Sequence, residues 1–447
     1  MTAVVAPEVL RSLREGRALH LDHYGSRPPF AAVGGSGITQ RMVALEGAGD
    51  VIEVLDASGG YASACLGIGH EVIRRAAERA VSLEMATDEI GSLERSSLLV
   101  EMFGAGGLLA DHFPPGEYHV SGRSSGSEGM ELALRLVLES RVDRRSLRQR
   151  GDRDLILAFE GAWHGWTSGL VPLLNRRHFQ AGLPSAGVTV EHLPFGDAEL
   201  VEEFVSRHGD RLLAVVVEPI QGDAGVIVPP PGFLRRVARA ARARGALVVA
   251  DEVLTFGKTG APLAMIDDEG VVPTDITVIG KSLGMGSVPV SMVIARRELT
   301  VRGSGAVATS DLRPAVCAVV RDGLKLIVDD KLWDHAAALG EHLGQRLRDE
   351  LVGALPEVFH EARGLGVLHG VELTEAASAR MTSLREHVIR AGAYVEFMAG
   401  AGRRTLGRRY LFPAMRFAPA LITTPDDVDE IVGRVAEGTR AFLGASG

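Results

Sequence analysis

A lysine interrupts an apolar run in the segment DITVIGKSLGMG, residues 275–286. Ile276, Val278 and Ile279 are typical of a sheet core, and Lys281 follows where more apolar residues would be expected. Lysine is almost never fully buried without a partner, so a solvated side chain at a strand exit is the ordinary interpretation of such a residue. A desolvated amine is also a nucleophile, because burial lowers the pKa of lysine. The residues at other strand ends decide between a solvated lysine and a nucleophilic one.

Polar or aromatic residues follow three further apolar runs. Asp251 comes after ALVVA, Trp163 and His164 come after DLILAF, and Gly126 and Ser127 begin a helix after YHVSGRSS. Each has an ordinary explanation: a helix-capping aspartate, loop packing, and a serine-rich helix cap. His164 has no histidine or cysteine at ligand spacing, so a zinc site is not predicted there. Small residues at a helix N-terminus also bind phosphate.

Together these groups match one cofactor, pyridoxal 5'-phosphate. Ligands of an open α/β sheet bind beyond the carboxyl ends of its strands, where all these residues are expected. A lysine forms a Schiff base with the cofactor aldehyde, an aspartate keeps the pyridine nitrogen protonated, and the helix N-terminus holds the phosphate. The sequence therefore predicts a pyridoxal-phosphate site that contains Lys281 and Asp251.

The elements that position these residues indicate an α/β fold. From about residue 95 to 325, short apolar strands alternate with segments of helical length, which is typical of a mostly parallel sheet covered by helices on both faces. A long amphipathic helix and further strands follow. We expect an N-terminal segment, 1–75, that contributes to a small domain, a large cofactor-binding domain, 76–325, and a small C-terminal α+β domain, 326–447.

Composition limits the class of protein. The chain has 447 residues, 46% hydrophobic residues and a formal net charge of -9, so it is large enough for more than one core and lacks a broad basic surface for nucleic acid. No apolar run approaches the roughly 20 residues that span a bilayer. Cys65 and Cys317 lie far apart and are expected to be buried thiols in a reducing compartment. We expect a cytoplasmic protein without nucleic-acid or membrane partners.

The sequence resembles the class III, or ornithine-type, pyridoxal-phosphate aminotransferases, to which glutamate-1-semialdehyde aminomutase is related. The resemblance extends from about residue 50 to about 425, and 281 minus 251 gives the 30 residues expected between the aspartate and the lysine. The motifs that carry it are SGSEGMELAL (125–134), AWHG (162–165), EPIQGDAGV (218–226), ADEVLTFGKTG (250–260), GKSLGMG (280–286), ARGLGVLHGVEL (362–373) and MRFAPALI (415–422).

The resemblance implies fold type I, a homodimer with shared active sites, and transfer of an amino group from an amino-acid donor, with glutamate first among them, to a carbonyl acceptor by ping-pong half-reactions. The residues that it assigns to the cofactor are Gly126, Ser127, Trp163, His164, Glu218, Asp251, Val253, Lys281 and, across the dimer, Thr309. Those that it assigns to substrates are Tyr61, Asp223 and Arg416.

Departures from the family pattern leave alternatives open. Leu254 stands where the family often has a glutamine, and Arg313 precedes Pro314 where an asparagine is usual. An apolar residue at 254 is more like the aminomutase, so an aminomutase or an amino-acid racemase or epimerase is an alternative. A non-catalytic relative is a third, against which Lys281 and Asp251 argue. Tyr61 could be a core residue, and Asp223 could simply belong to a turn.

Overall fold

The structure is a computed structural model, and it describes residues 3–22, 27–80, 82, 90–142, 151–175, 187–301, 306–398, 403–405, 409–411 and 413–445. The α-helices in these ranges are α1 (Pro7–Leu19), α2 (Gly59–Ala62), α3 (Glu71–Ala80), α4 (Leu93–Phe103), α5 (Gly126–Ser140), α6 (Ala198–His208), α7 (Phe233–Ala243), α8 (Pro314–Asp329), α9 (Leu332–Arg346), α10 (Glu375–Ser378), α11 (Met381–Arg390) and α12 (Pro425–Gly444). Short 3-10 turns cover Val171–Leu173 and Lys281–Gly284, and a π-helical turn, Leu347–Gly353, continues α9.

The strands in the same ranges are β1 (Phe30–Ser36), β2 (Thr39–Ala44), β3 (Val51–Asp56), β4 (Tyr118–Arg123), β5 (Leu155–Phe159), β6 (Thr189–Leu193), β7 (Leu212–Val217), β8 (Leu247–Glu252), β9 (Ile266–Asp267), β10 (Gly270–Val271), β11 (Ile276–Ile279), β12 (Ser291–Arg296), β13 (Phe359–Leu365), β14 (Leu368–Leu373), β15 (Ala393–Tyr394), β16 (Glu396–Met398), β17 (Arg403–Thr405), β18 (Arg409–Leu411) and β19 (Ala414–Phe417).

The central sheet has seven strands in the order β4-β12-β11-β8-β7-β5-β6. Strands β11, β8, β7, β5 and β6 run parallel, and only β12 runs against its two neighbours. Since β4 and β11 are both antiparallel to β12, β4 points the same way as the parallel strands. The carboxyl ends of six strands therefore meet at one edge, which confirms the predicted α/β fold and brings the candidate residues to one place.

Helices cover both faces of this sheet because its strands are apolar on both sides. Leu155, Leu157 and Phe159 of β5 pack in one core with α6 and α7, whereas Ile156 packs with α5 in another. Such continuous apolar strands are typical of parallel sheets between two helical layers. Strands of alternating polarity would instead have left one face of the sheet in solvent.

Two smaller sheets lie beside the central one. Strands β13, β14, β19 and β16 form an antiparallel sheet, and β1, β2 and β3 form another, to which β15 adds a parallel strand. Pairing of Ala393 with Leu55 joins the first strands of the chain to its C-terminal part. The domain limits given above remain a prediction. Cys65 and Cys317 are free and buried, and within the described ranges no helix combines the length and apolar character needed to cross a bilayer.

Candidate active site

Lys281 begins the 3-10 turn that follows β11, at the shared strand edge. Its φ is +45°, a conformation that residues with a Cβ rarely adopt and that is often found at functional sites. Burial, and next the positive charge of Arg416, lower the pKa of the Lys281 amine to about 8. A lysine with that pKa is a much better nucleophile at neutral pH than a solvated one. Lys281 is half-buried, so its surroundings differ from those of a fully solvated strand-exit lysine.

Asp251 is the penultimate residue of the parallel strand β8 and is 5% exposed. Its Oδ2 atom is 2.8 Å from Nδ1 of His164, which is buried in the loop after β5, and its Oδ1 accepts a hydrogen bond from the Val253 N–H at 3.1 Å. Burial acts to lower the pKa of His164, but the hydrogen bond and the charges of Asp251 and Glu218 outweigh it and raise the pKa. The two side chains therefore form a buried hydrogen-bonded pair at the strand edge. Sequence analysis identified both residues as candidates but did not predict that they contact each other.

Glu218 directly follows β7 and ties two loops of the site together. Its Oε1 accepts a hydrogen bond from the Trp163 N–H at 2.8 Å, and its Oε2 accepts one from the Gly222 N–H at 3.3 Å. Burial raises the pKa of its carboxyl group. Glu218 thus positions the loop that carries Trp163 and the turn that carries Gly222.

The N-terminus of α5 contacts residues that follow two other strands, β8 and β5. Ser125 caps the helix, so the predicted serine-rich cap is present, and the next two residues begin its first turn. A Cβ on Gly126 would lie 2.7 Å from Cγ1 of Val253, and one on Gly165 would lie 2.4 Å from Oγ of Ser127. Only glycine permits these approaches. The first N–H groups of a helix have no acceptor within the helix and suit a phosphate.

Arg416 lies in the middle of β19 and is 4% exposed. Its Nε donates a hydrogen bond to Oε2 of Glu396 on β16 at 2.9 Å, and its Nη2 donates to the same oxygen. A Cβ on Gly222 would lie 3.5 Å from Arg416 Nη1, so the other end of the guanidinium faces the turn next to Glu218. Sequence reasoning found Arg416 and missed Glu396, whose only signal is an acid within the strand-like run AYVEFM.

A second buried lysine, which sequence reasoning also missed, adjoins the lysine turn. Lys258 is 3% exposed, and its Nζ donates hydrogen bonds to the carbonyl oxygen of Leu254 at 2.8 Å and to Oγ of Ser282 at 2.6 Å. Burial, followed by the charge of Lys281, lowers its pKa to about 7. In the sequence, Lys258 lies within TFGKTG, a segment that has the composition of an ordinary polar turn. Lys258 fixes the backbone on either side of the site.

The three remaining candidates lie in loops or short elements. Tyr61 lies in α2 with a φ of +58° and is 46% exposed, so it is not a core residue in this chain. Asp223 lies in the turn in which the N–H of Gly225 donates to the carbonyl of Gly222 at 3.2 Å. Thr309 is exposed in the segment before α8. Their predicted roles toward substrate and cofactor stay predictions.

These residues fit pyridoxal phosphate. The site holds an amine of lowered pKa, an aspartate that is hydrogen-bonded to a buried histidine, and a helix N-terminus that glycines allow to pack closely against Val253 and the loop after β5. The buried Nε2 atom of His164 has no hydrogen-bond partner among the described residues, which is unusual for a buried polar atom in a complete site. The arrangement can bind a phosphate and a cationic ring beside a nucleophilic amine.

Comparison with known proteins agrees with this chemistry. The family model described as Aminotransferase class-III matches residues 43–437. The mitochondrial ornithine aminotransferase of Oryza sativa subsp. japonica is 30% identical over 322 residues, which is 71% of this chain and 63% of that protein. The ornithine aminotransferase of Bacillus subtilis is 31% identical over 315 residues, 70% of this chain and 72% of that one.

The solved structures extend the likeness to the whole fold. An ornithine aminotransferase structure from Toxoplasma gondii, with partial occupancy of pyridoxal phosphate at its active site, superimposes with a TM-score of 0.79 at 25% identity. The match covers 98% of this chain and 95% of that one.

Proposed function

Since the chain belongs to the class-III aminotransferases, whose members use pyridoxal phosphate, we propose that it moves an amino group from an amino-acid donor to a carbonyl acceptor in two half-reactions. The observation that carries the proposal is the position of Lys281, a strained and partly buried amine of lowered pKa, in electrostatic reach of Asp251 and Glu218.

The residues named above would hold the cofactor. Gly126 and Ser127 would bind the phosphate, Trp163 and Val253 would flank the ring, and Asp251 would hold a proton on the ring nitrogen. When bound, pyridoxal phosphate supplies an aldehyde for the donor amine and a ring that takes up electrons.

The amine of Lys281 has two tasks in this reaction. It would hold the cofactor, and as a free amine its Nζ would move a proton as a general acid and base. A pKa of about 8 suits this task because both protonation states are populated near neutral pH.

Assembly and location belong to the same proposal. We expect a homodimer in the cytoplasm, in which Thr309 of each subunit serves the phosphate site of the other; its exposure in a single chain is compatible with that role. Mixing the inactive variants Lys281→Ala and Thr309→Ala should then restore activity, because hybrid dimers contain one site with neither lesion. An active protein that sediments as a monomer at assay concentration would refute the shared site.

The test of function is a half-reaction screen. The purified protein, loaded with pyridoxal phosphate, should absorb at about 410–430 nm, the usual range of a protein-bound pyridoxal group. Candidate amino donors, glutamate and ornithine among them, are added one at a time, and loss of this band with release of a keto product identifies the donor. Lys281→Ala should fold and bind cofactor, yet lose several orders of magnitude in turnover, because the tether and the proton carrier are lost together.

Two outcomes would change the conclusion. Near wild-type turnover of Lys281→Ala would reject the assignment of this lysine. Conversion of a single amino compound without any acceptor would favour the isomerase alternative, which the apolar Leu254, buried beside Ile220 and Val226, keeps in view.

A further inference from the structure

Arg416 has a counter-ion within the protein. In the antiparallel pair of β16 and β19, Glu396 lies directly opposite Arg416, so their side chains project from the same face of the sheet. Arg416 directs both Nε and Nη2 at one oxygen of Glu396, and both residues are at most 4% exposed. The register of two strands holds this pair, which makes it a fixed feature of the sheet.

The pair borders the site. Both charges act on the Lys281 amine, since Arg416 lowers its pKa and Glu396 raises it. The Nη1 atom of Arg416 faces the turn at Gly222, where the carboxylate of Glu218 also accepts a hydrogen bond. A substrate group that enters between this turn and β19 therefore meets an arginine that is already neutralised.

Glu396 also has an unused hydrogen-bond acceptor. Its Oε1 is buried and has no hydrogen-bond partner among the described residues. Buried carboxylate oxygens normally have donors, and one without a donor is costly. An amine or a hydroxyl group of a ligand could donate to this oxygen, whereas a second carboxylate would be repelled by it.

We propose that Glu396 is a specificity-determining residue that occupies Arg416 in place of a substrate carboxylate, and so selects substrates whose far end is uncharged or cationic and donates hydrogen bonds. The inference rests on the proposed function and narrows its substrate class. It also means that a dicarboxylic donor such as glutamate gains little from Arg416. Displacing Glu396 would leave one carboxylate buried without its partner, which is strongly unfavourable.

The experiment measures binding rather than turnover. Calorimetric titration of the cofactor-loaded protein compares glutarate, a five-carbon dicarboxylate without an amine, with pentanoate, which has the same length and one carboxylate. In the wild type the two dissociation constants should agree within about threefold, because the second carboxylate finds no free cation. In Glu396→Gln, glutarate should bind about tenfold more tightly or better, the order expected when one nearby like charge is removed, and pentanoate should not change.

Controls assign the gain to this ion pair. Glu372→Gln neutralises another fully buried glutamate in the same sheet, one that pairs with Arg363 at 2.7 Å, and should leave glutarate affinity unchanged. The double variant Glu396→Gln/Arg416→Leu should lose the gain. A wild type that already prefers glutarate by tenfold would overturn the inference, even if Glu396→Gln did not fold. Equal tightening in Glu372→Gln would overturn it too.

These outcomes are separable from the proposed function. If no donor in the screen transfers its amino group, the aminotransferase proposal is rejected, but the dissociation constants of glutarate and pentanoate can still be compared. If the protein still transfers amino groups but the wild type binds glutarate at least tenfold more tightly than pentanoate, only the role of Glu396 is rejected.

Discussion

The buried lysine at 258 should make the stability of this protein depend on pH, and Lys258→Met should remove the part of that dependence that Lys258 contributes. Burial lowers the pKa of Lys258 from 10.5 to about 7. Below pH 7 the lysine is protonated in both the folded and the unfolded state, so the folded state bears the full cost of a buried charge. Above 10.5 it is neutral in both states and the cost is gone. Between these values only the unfolded chain binds the proton, so wild-type stability rises with pH.

The size of the effect follows from the two pKa values. Each pH unit between them changes the free energy of unfolding by about 1.4 kcal/mol, so the full cost is about 5 kcal/mol. Methionine has a similar shape and no charge, but it removes the hydrogen bonds to Leu254 and Ser282, each worth about 1 kcal/mol. Lys258→Met should therefore be more stable than the wild type at pH 7 by about 3 kcal/mol, and the difference should shrink toward zero by about pH 9.

The assay is urea unfolding of the apoprotein at one protein concentration, followed by tryptophan fluorescence from pH 7 to 9. Lys325→Met is the matched control, because the side chain of Lys325 is 75% exposed and its removal should have a small effect. A stability difference for Lys258→Met that does not change with pH, or that parallels Lys325→Met, would refute the reasoning. It would mean that the Lys258 amine is not desolvated.

Three further outcomes are expected. Gly126→Ala places a Cβ 2.7 Å from Val253 Cγ1 and should weaken binding of pyridoxal phosphate by about 1–3 kcal/mol in a fluorescence titration. Gly16→Ala, with no atom within 4 Å of the new Cβ, should leave this affinity unchanged. Equal affinities of the two variants would contradict a phosphate site at the N-terminus of α5. Cofactor uptake by the apoprotein should accelerate with rising pH, with a midpoint near pH 8 and a plateau about one pH unit above it, as the Lys281 amine loses its proton. A rate that still rises above pH 10 would show an ordinary lysine. Asp223→Ala should leave glutarate affinity within about threefold, because Glu396 neutralises Arg416; marked tightening would instead assign the counter-ion role to Asp223.

The sequence by itself determined the sheet and most of the residues at its edge. Apolar strands separated by helical segments specify a parallel sheet, and a parallel sheet brings the residues after each strand to one side. That is why Lys281, Asp251 and the start of α5 could be placed together from local patterns, whereas Glu218 was implied only by the family resemblance. Each is defined by its position relative to its own strand, which is information carried within about ten residues.

Only the tertiary structure decided which charges pair. Glu396 and Arg416 are 20 residues apart along the chain and meet because β16 and β19 have one particular register, and a slip of one residue would point Glu396 to the opposite face. His164 and Asp251 meet across two strands, 87 residues apart. The strength of each charge depends on burial, since the same lysine has a pKa near 10.5 in water and about 7 at position 258. Burial is a property of everything that packs around a residue, and no local pattern contains it.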